Sequence, residues 1–414
     1  MDNNIELDID YVRNQFPSLK NKSINKWAFF ENAGGSYVPI NVIKHLKRFM
    51  VFSKVQPYAD FQMSKEAGKK MDSSIKFFSE IINAKKNEII IGGSTTMNIY
   101  VLSNALKHII QKDDEIIVTN QDHEANIGAW RKLKDNGAKI KEWKINPKTA
   151  ELKIEELKKI ISKKTKIVAV THCSNIVGSI NNIKEISKIV HQNDALIVVD
   201  GVSYAPHGFP DVKELDVDFY TFSLYKTYGP HLGLLYGKYE ILKNLPNQNH
   251  EFLNDQIPYT LNPGGPNHEE LASLNGIYDY FMNLYSHHFV DQNKTIKEKI
   301  YFVNELIRLH EEKIANPLLE YIKNRKEFRL IGKDKIKNKK RAPTISFTHK
   351  NKSSREISVF LNDNYIATRN DNFYAWRCLK ALGINLEDGV VRISLTHYNS
   401  KEEIKKLISV LDKI

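Results

Sequence analysis

The chain has 414 residues, with 61 Lys plus Arg against 49 Asp plus Glu, a net charge of +12, and two cysteines. This length suggests two domains or one large one, and 41% hydrophobic with 27% charged residues excludes a disordered chain. Cys173 and Cys378 lie far apart in sequence, which argues against a disulfide-built secreted scaffold and for a reducing compartment.

The N-terminal stretch MDNNIELDIDYVRNQFPSLK is acidic and polar, unlike a secretory signal. No apolar run reaches the ~20 residues of a membrane span, so a cytoplasmic protein with no membrane partner is expected. Residues 1–30 read as an irregular lead-in with one short helix at 11–15. From about residue 85, strands at 88–91, 115–119, 138–143, 166–171 and 195–200 alternate with helices at 96–110, 124–136, 154–162 and 183–192. Strands at 218–223 and 233–237 follow. The runs are rich in Val and Ile and continuous, as in strands buried on both faces. Their alternation with helices predicts βαβ units and a mainly parallel sheet. Beyond residue 289 the order changes to a helix at 293–313, a strand at 344–348, a helix at 354–362, a strand at 365–368, a helix at 375–382, a strand at 390–395 and a helix at 402–411. That is a smaller α+β unit. The basic run KDKIKNKKR (333–341) reads as a surface loop.

Two segments carry chemistry. In SLYKTYGPHLGLLYG (223–237), Lys226 follows a buried-looking strand and precedes an aromatic and glycine stretch. A lysine desolvated there favours its amine form, as Schiff-base chemistry needs, although most lysines are solvated. In IVVDGVSYAPH (197–207), Asp200 ends an apolar strand, where ligands of α/β sheets bind. Its partner is either a backbone cap or a cationic ligand atom. The pairing of an acid and a lysine 26 residues apart is what pyridoxal phosphate needs.

On these segments the chain resembles the class V aminotransferase family of pyridoxal-phosphate enzymes, and within it the cysteine desulfurases. The resemblance runs from FFENAGGSYVP (29–39) to VRISLTHYNSKEEI (391–404), with THCSN, VVDG, FSLYKTYGP and VRISLTHYN in the family's order. It implies the α/β type I fold of pyridoxal-phosphate-dependent transferases. A mainly parallel seven-stranded sheet with helices on both faces would span 31–290, and a smaller α+β domain 291–414.

The resemblance also implies roles. Lys226 would bind the cofactor covalently and move protons at the substrate α-carbon, Asp200 would hold the pyridine nitrogen protonated, and His123 would stack on the ring. Read alone, His123 is a helix-start residue near an Asp122 cap. Thr95 and Thr96, in GGSTTMN, would bind the phosphate, and hydroxyls at a helix N-terminus suit an anion in any family. Ser223 matches a second phosphate hydroxyl. Tyr225 stands where many relatives have a histidine, and its phenol can still donate. Asn175 would sit near the cofactor's phenolic oxygen and the substrate carboxylate. Ser203 takes the place of a common glutamine. Gly265, in GGPNHEEL, would offer its backbone N–H to a neighbouring subunit's phosphate in a homodimer. Arg392 would grip the substrate carboxylate, unless it serves a structural salt bridge. Arg369 aligns with a family arginine that precedes the sulfur-accepting cysteine.

In TRNDNFYAWRC (368–378) that alignment puts Tyr374 where the cysteine belongs. Cys173 and Cys378 read as small buried hydrophobes. A phenol does not accept sulfane sulfur as a thiolate does. The expected reaction is therefore C–S cleavage of cysteine or an S-substituted cysteine without a persulfide. An epimerase or aminotransferase is the alternative, and a non-catalytic cofactor-binding protein is a third reading. No metal site is expected. The positive charge is spread along the chain with no nucleic-acid motif, so nucleic acid is not an expected partner.

Overall fold

The computed structural model describes residues 5–414, so the first four residues of the expected lead-in lie outside it. Seven strands form the large sheet: β1 (Ile89–Gly92), β2 (Glu115–Thr119), β3 (Lys139–Trp143), β4 (Thr165–Thr171), β5 (Leu196–Asp200), β6 (Phe219–Ser223) and β7 (Gly233–Gly237). Their order is β1-β7-β6-β5-β4-β2-β3, and only β7 runs antiparallel to its neighbours. Successive side chains feed opposite cores. Val168, Val170, Ile197 and Val199 join one cluster, while Ile167, Ala169 and Val198 join the other. A strand buried on both faces needs apolar residues at every position, hence the unbroken Val/Ile runs. The register Thr171–Asp200–Thr221 aligns the carboxyl ends of β4, β5 and β6 along one edge of the sheet.

Five helices bear on the site and its surroundings: α1 (Ile40–Phe52), α2 (Gln62–Ile81), α3 (Thr95–Leu106), α4 (Glu124–Lys132) and α5 (Ile296–Lys323). A second, antiparallel sheet contains β8 (Phe328–Leu330), β9 (Thr344–His349), β10 (Arg369–Asp371) and β11 (Val390–Ser394) in the order β10-β11-β9-β8. No helix among the described residues is long and apolar enough to cross a membrane.

Several elements differ from the sequence reading. The lead-in is packed: Val12 and Phe16 are fully buried, and Ala28–Phe29 pairs in parallel with Ile366–Ala367. The expected strand at 365–368 is only Ile366–Ala367, which joins that pair, and an unexpected strand, Arg369–Asp371, follows it and joins β11. Helices α1 and α2 were not anticipated. Helix α5 continues through Pro317 to Lys323, since Ile314, Leu318, Leu319 and Ile322 bury one continuous face that outweighs the proline. The run at 333–341 ends in a buried residue, Arg341, where a surface loop was expected throughout.

Candidate active site

Lys226 lies in a single 3₁₀ turn, Leu224–Lys226, directly after β6. Leu224 anchors that turn in the core and donates its N–H to the Leu232 carbonyl at 2.8 Å. Lys226 is only 8% exposed and forms no ion pair among the described residues. Burial, reinforced by the Arg392 charge, pushes its pKa down to about 8, against the opposing pull of Asp200 and Glu31.

Asp200 ends β5 with its carboxylate buried. Its Oδ1 accepts the Val202 N–H at 2.8 Å, so the cap reading holds for one oxygen. Burial raises its pKa to about 6, opposed by that hydrogen bond and by Lys226. A buried carboxylate short of donors is stabilised by a cationic N–H, as a protonated pyridine provides.

The N-terminus of α3 is capped by Ser94, whose Oγ accepts from Met97 N at 3.1 Å. Thr95 Oγ1 lies 2.8 Å from Ser223 Oγ, which brings the two hydroxyls together at a helix start. Gly233 makes room for this turn: a Cβ there would lie 2.3 Å from Thr95 N. Free N–H groups, two hydroxyls and the positive end of the helix dipole suit a phosphate.

His123 is itself the N-cap of α4, accepting from Ala125 N at 3.0 Å through Nδ1. This corrects the expectation of an Asp122 cap. Asp122 is buried, accepts from Thr119 and Asn126, and is raised to about 7 chiefly by burial. Burial, and then the charges of Lys226 and Arg392, push His123 down to about 3, so its imidazole is neutral. Asn175 donates to the Phe373 carbonyl at 2.9 Å, while its Oδ1 is buried without a donor among the described residues. Tyr225 stacks on His231 at 4.6 Å, and burial raises its phenol pKa.

Thr95, Thr96, His123, Asn175, Asp200, Ser203, Ser223, Tyr225 and Lys226 line one narrow cleft with a cavity volume of about 50 Å³. Gly265 does not line it. It sits on a loop with φ of 75° and no atom within 4 Å of where a Cβ would stand. Among the described residues no His, Cys, Asp and Glu cluster could hold a metal ion.

Arg392, on β11, is 2% exposed, and its fork is engaged by a residue the sequence reading left without a role. Its Nη2 donates to both Glu31 oxygens at 2.9 and 3.2 Å, and Nη1 to the Asn175 carbonyl at 3.3 Å. The Phe373 ring lies 3.6 Å from its guanidinium carbon. Glu31 follows a fully buried Phe30 and precedes a buried Asn32, and that charge in a buried run was the available signal. Arg369 is more exposed, pairs with Asp371 at 2.7 Å and lies 3.9 Å from Glu31.

Both thiols are buried, and burial pushes each up to about 12. Cys173 backs onto the cleft and Cys378 packs behind the loop that carries Tyr374. Tyr374 is 66% exposed at the mouth, its ring 5.1 Å from that of His123. Phe373 and Tyr374 hold φ of 49° and 59°, a conformation that side chains resist. Asn175 on the Phe373 carbonyl and Glu124 N–H on the Tyr374 carbonyl, at 2.7 Å, pin the loop there.

A desolvated amine, an acid with a spare oxygen, a neutral imidazole and a hydroxyl-lined helix start fit pyridoxal phosphate as a set. The family described as Aminotransferase class-V matches residues 28–407. The chain is 37% identical over 418 residues to "Aminotransferase-like protein FGM3" of Gibberella zeae, covering 98% of each. It is 31% identical to "Cysteine desulfurase-like protein ustD" of Aspergillus flavus, covering 99% of this chain and 91% of the relative. An apo cysteine desulfurase structure from Thermococcus onnurineus NA1 superposes with a TM-score of 0.84 at 25% identity, covering 99% and 98% of the two chains. The chain therefore belongs to the class V aminotransferases and is a pyridoxal-phosphate-dependent enzyme of the cysteine desulfurase-like kind.

Proposed function

We propose that the enzyme cleaves the C–S bond of cysteine or an S-substituted cysteine without forming a protein persulfide. The observation that carries this reading is the state of the chain's two thiols: both are buried, and both are pushed up to about 12. Sulfur capture needs an accessible thiolate, and at neutral pH neither cysteine supplies one. The residue exposed at the mouth is a phenol, Tyr374.

Bound pyridoxal phosphate supplies an electron sink for the α-carbon. The chain's residues do the rest. Asp200 would keep the pyridine nitrogen protonated. His123, neutral at working pH, would pack against the ring. Thr95, Thr96, Ser223 and the N-terminus of α3 would hold the phosphate, with Tyr225 beside Ser223. Ser203 and Asn175 would serve the phenolic side. Asn175 Oδ1, which lacks a protein donor, takes one from a ligand. Arg392, paired with Glu31 and packed on Phe373, would meet the substrate carboxylate, with Arg369 further out. Lys226 would hold the cofactor at Nζ and, with that amine free, would take up the substrate's α-proton there. The C–S bond of the deprotonated substrate would then break, sulfur would leave with the bonding pair and take up a proton, and one water would hydrolyse the remaining enamine to pyruvate and ammonia.

Two chains complete the site in this reading. Met50, Val51 and Phe52 at the end of α1, with Phe61 and Met63 at the start of α2, are exposed apolar residues suited to a homodimer interface. Gly265 would then serve the partner's phosphate. Wild-type protein with pyridoxal phosphate is expected to show a visible absorption band that Lys226→Ala abolishes, and to release pyruvate and thiol from S-substituted cysteines. Recovered substrate carrying solvent deuterium, or a keto acid that keeps its sulfur, would replace this reading with epimerisation or transamination.

A further inference from the structure

Behind the cofactor cleft lies a second cavity of about 600 Å³, open to the surface between α5 and the loop that precedes β9. Arg341 is part of its wall and is 2% exposed. Among the described residues its Nη groups reach only the carbonyls of Ile331 and Thr344, at 3.4 and 3.0 Å, and its Nε has no partner. The other lining cations are matched: Arg308 by Glu305 and Glu312, Lys297 by Asp211, and Lys339 by Glu305. Among the described residues Arg341 alone of these four lacks a carboxylate. Buried charges are normally paired, so an unmatched guanidinium calls for an anion. Burial pushes its pKa down to about 10, against the weaker pull of Cys173 and Asp334.

A second buried group in the same wall asks for the opposite. Glu311 is 2% exposed, and its Oε2 meets His207 Nδ1 at 2.9 Å. Its Oε1 is buried with no donor among the described residues. Between these groups the lining is apolar and aromatic, with Ile300, Tyr301 and Tyr204. Tyr204 is stacked on His172 at 3.7 Å, and this plate separates the cavity from the cleft that Ser203, Thr171 and Cys173 line.

We propose that this cavity binds a small carboxylic acid with an apolar body, preferentially one that also carries an ammonium, the carboxylate on Arg341 and the ammonium toward Glu311. An amino acid with an apolar side chain has this chemistry. The site is separate from the cofactor cleft and stands whether or not the reaction is C–S cleavage.

The test is calorimetric titration of the holoenzyme with 3-phenylpropionate and with L-phenylalanine, while the cofactor's visible band is followed. 3-Phenylpropionate has no amine to react with the cofactor. It is expected to bind once per chain with the band unchanged. L-Phenylalanine is expected to bind this site more tightly, and any change it causes in the band reports the cofactor cleft separately. Arg341→Met is expected to weaken 3-phenylpropionate at least tenfold. Glu311→Gln is expected to remove the advantage of L-phenylalanine. Should Arg341→Met fail to fold, Asn304→Trp, on the cavity wall, fills the space with Arg341 intact and is expected to abolish binding. No saturable binding of either probe to the wild type, or binding unchanged in Asn304→Trp, would overturn the proposal.

Discussion

At Lys226 burial sets both the chemistry and its cost. A lysine with a folded pKa of about 8 and an ordinary value of 10.5 is a free amine over a wider pH range. Cofactor capture by the apoprotein should therefore accelerate as pH rises through about 8, and a rate flat from pH 6.5 to 9 would contradict this. Because the folded pKa is depressed, the unfolded chain binds the extra proton between pH 8 and 10.5, and stability rises with pH across that window. Below pH 8 the full penalty applies, about 3 kcal/mol at most. Apo Lys226→Met should thus melt higher than the apo wild type at pH 7, with the gain gone by pH 10.5. Glu31→Gln tests the neighbouring pair. Freeing the Arg392 fork should lower KM for the amino acid, while breaking a buried pair costs about 3 kcal/mol in a denaturant melt. A raised KM would show instead that Glu31 aims Arg392. Lys226 and Asp200 were legible in the sequence because each directly follows or ends an apolar strand. The Glu31–Arg392 pair was not, because its members lie 361 positions apart and only the closed fold joins them.

At the scale of elements, the contact between β7 and α3 places the helix start proposed to hold the phosphate. Gly233→Ala would set a methyl 2.4 Å from the Ser94 carbonyl carbon, with backbone on the other side and no flexible side chain to yield. Overpacking of this kind costs about 1–3 kcal/mol. Cofactor affinity should fall by roughly 10–100-fold with the fold intact, as measured by equilibrium dialysis. Unchanged affinity would separate α3 from phosphate binding. The strands of the large sheet were readable because burial on both faces leaves an unbroken apolar run. Helices α1 and α2 were missed although each carries a helical stripe, with Val42 and Phe49 buried seven apart and Ala67, Met71 and Phe78 buried four and seven apart. The division of 365–371 between two sheets depends on which strands come alongside, and no local pattern encodes that.

For the whole molecule, the proposed homodimer would cover the exposed apolar residues at the end of α1. Phe52→Asp should give monomers by sedimentation, with weaker cofactor retention, and a fully active monomer would contradict a shared site. The central claim is that sulfur leaves without passing through a protein thiol. The most direct measurement follows the products from L-cysteine and S-substituted cysteines with wild-type enzyme and with the Cys173→Ala, Cys378→Ala double variant. The account predicts pyruvate and free sulfide or thiol from both proteins, with no sulfane sulfur on the chain. Alanine with a protein persulfide in the wild type, both lost in the double variant, would contradict it.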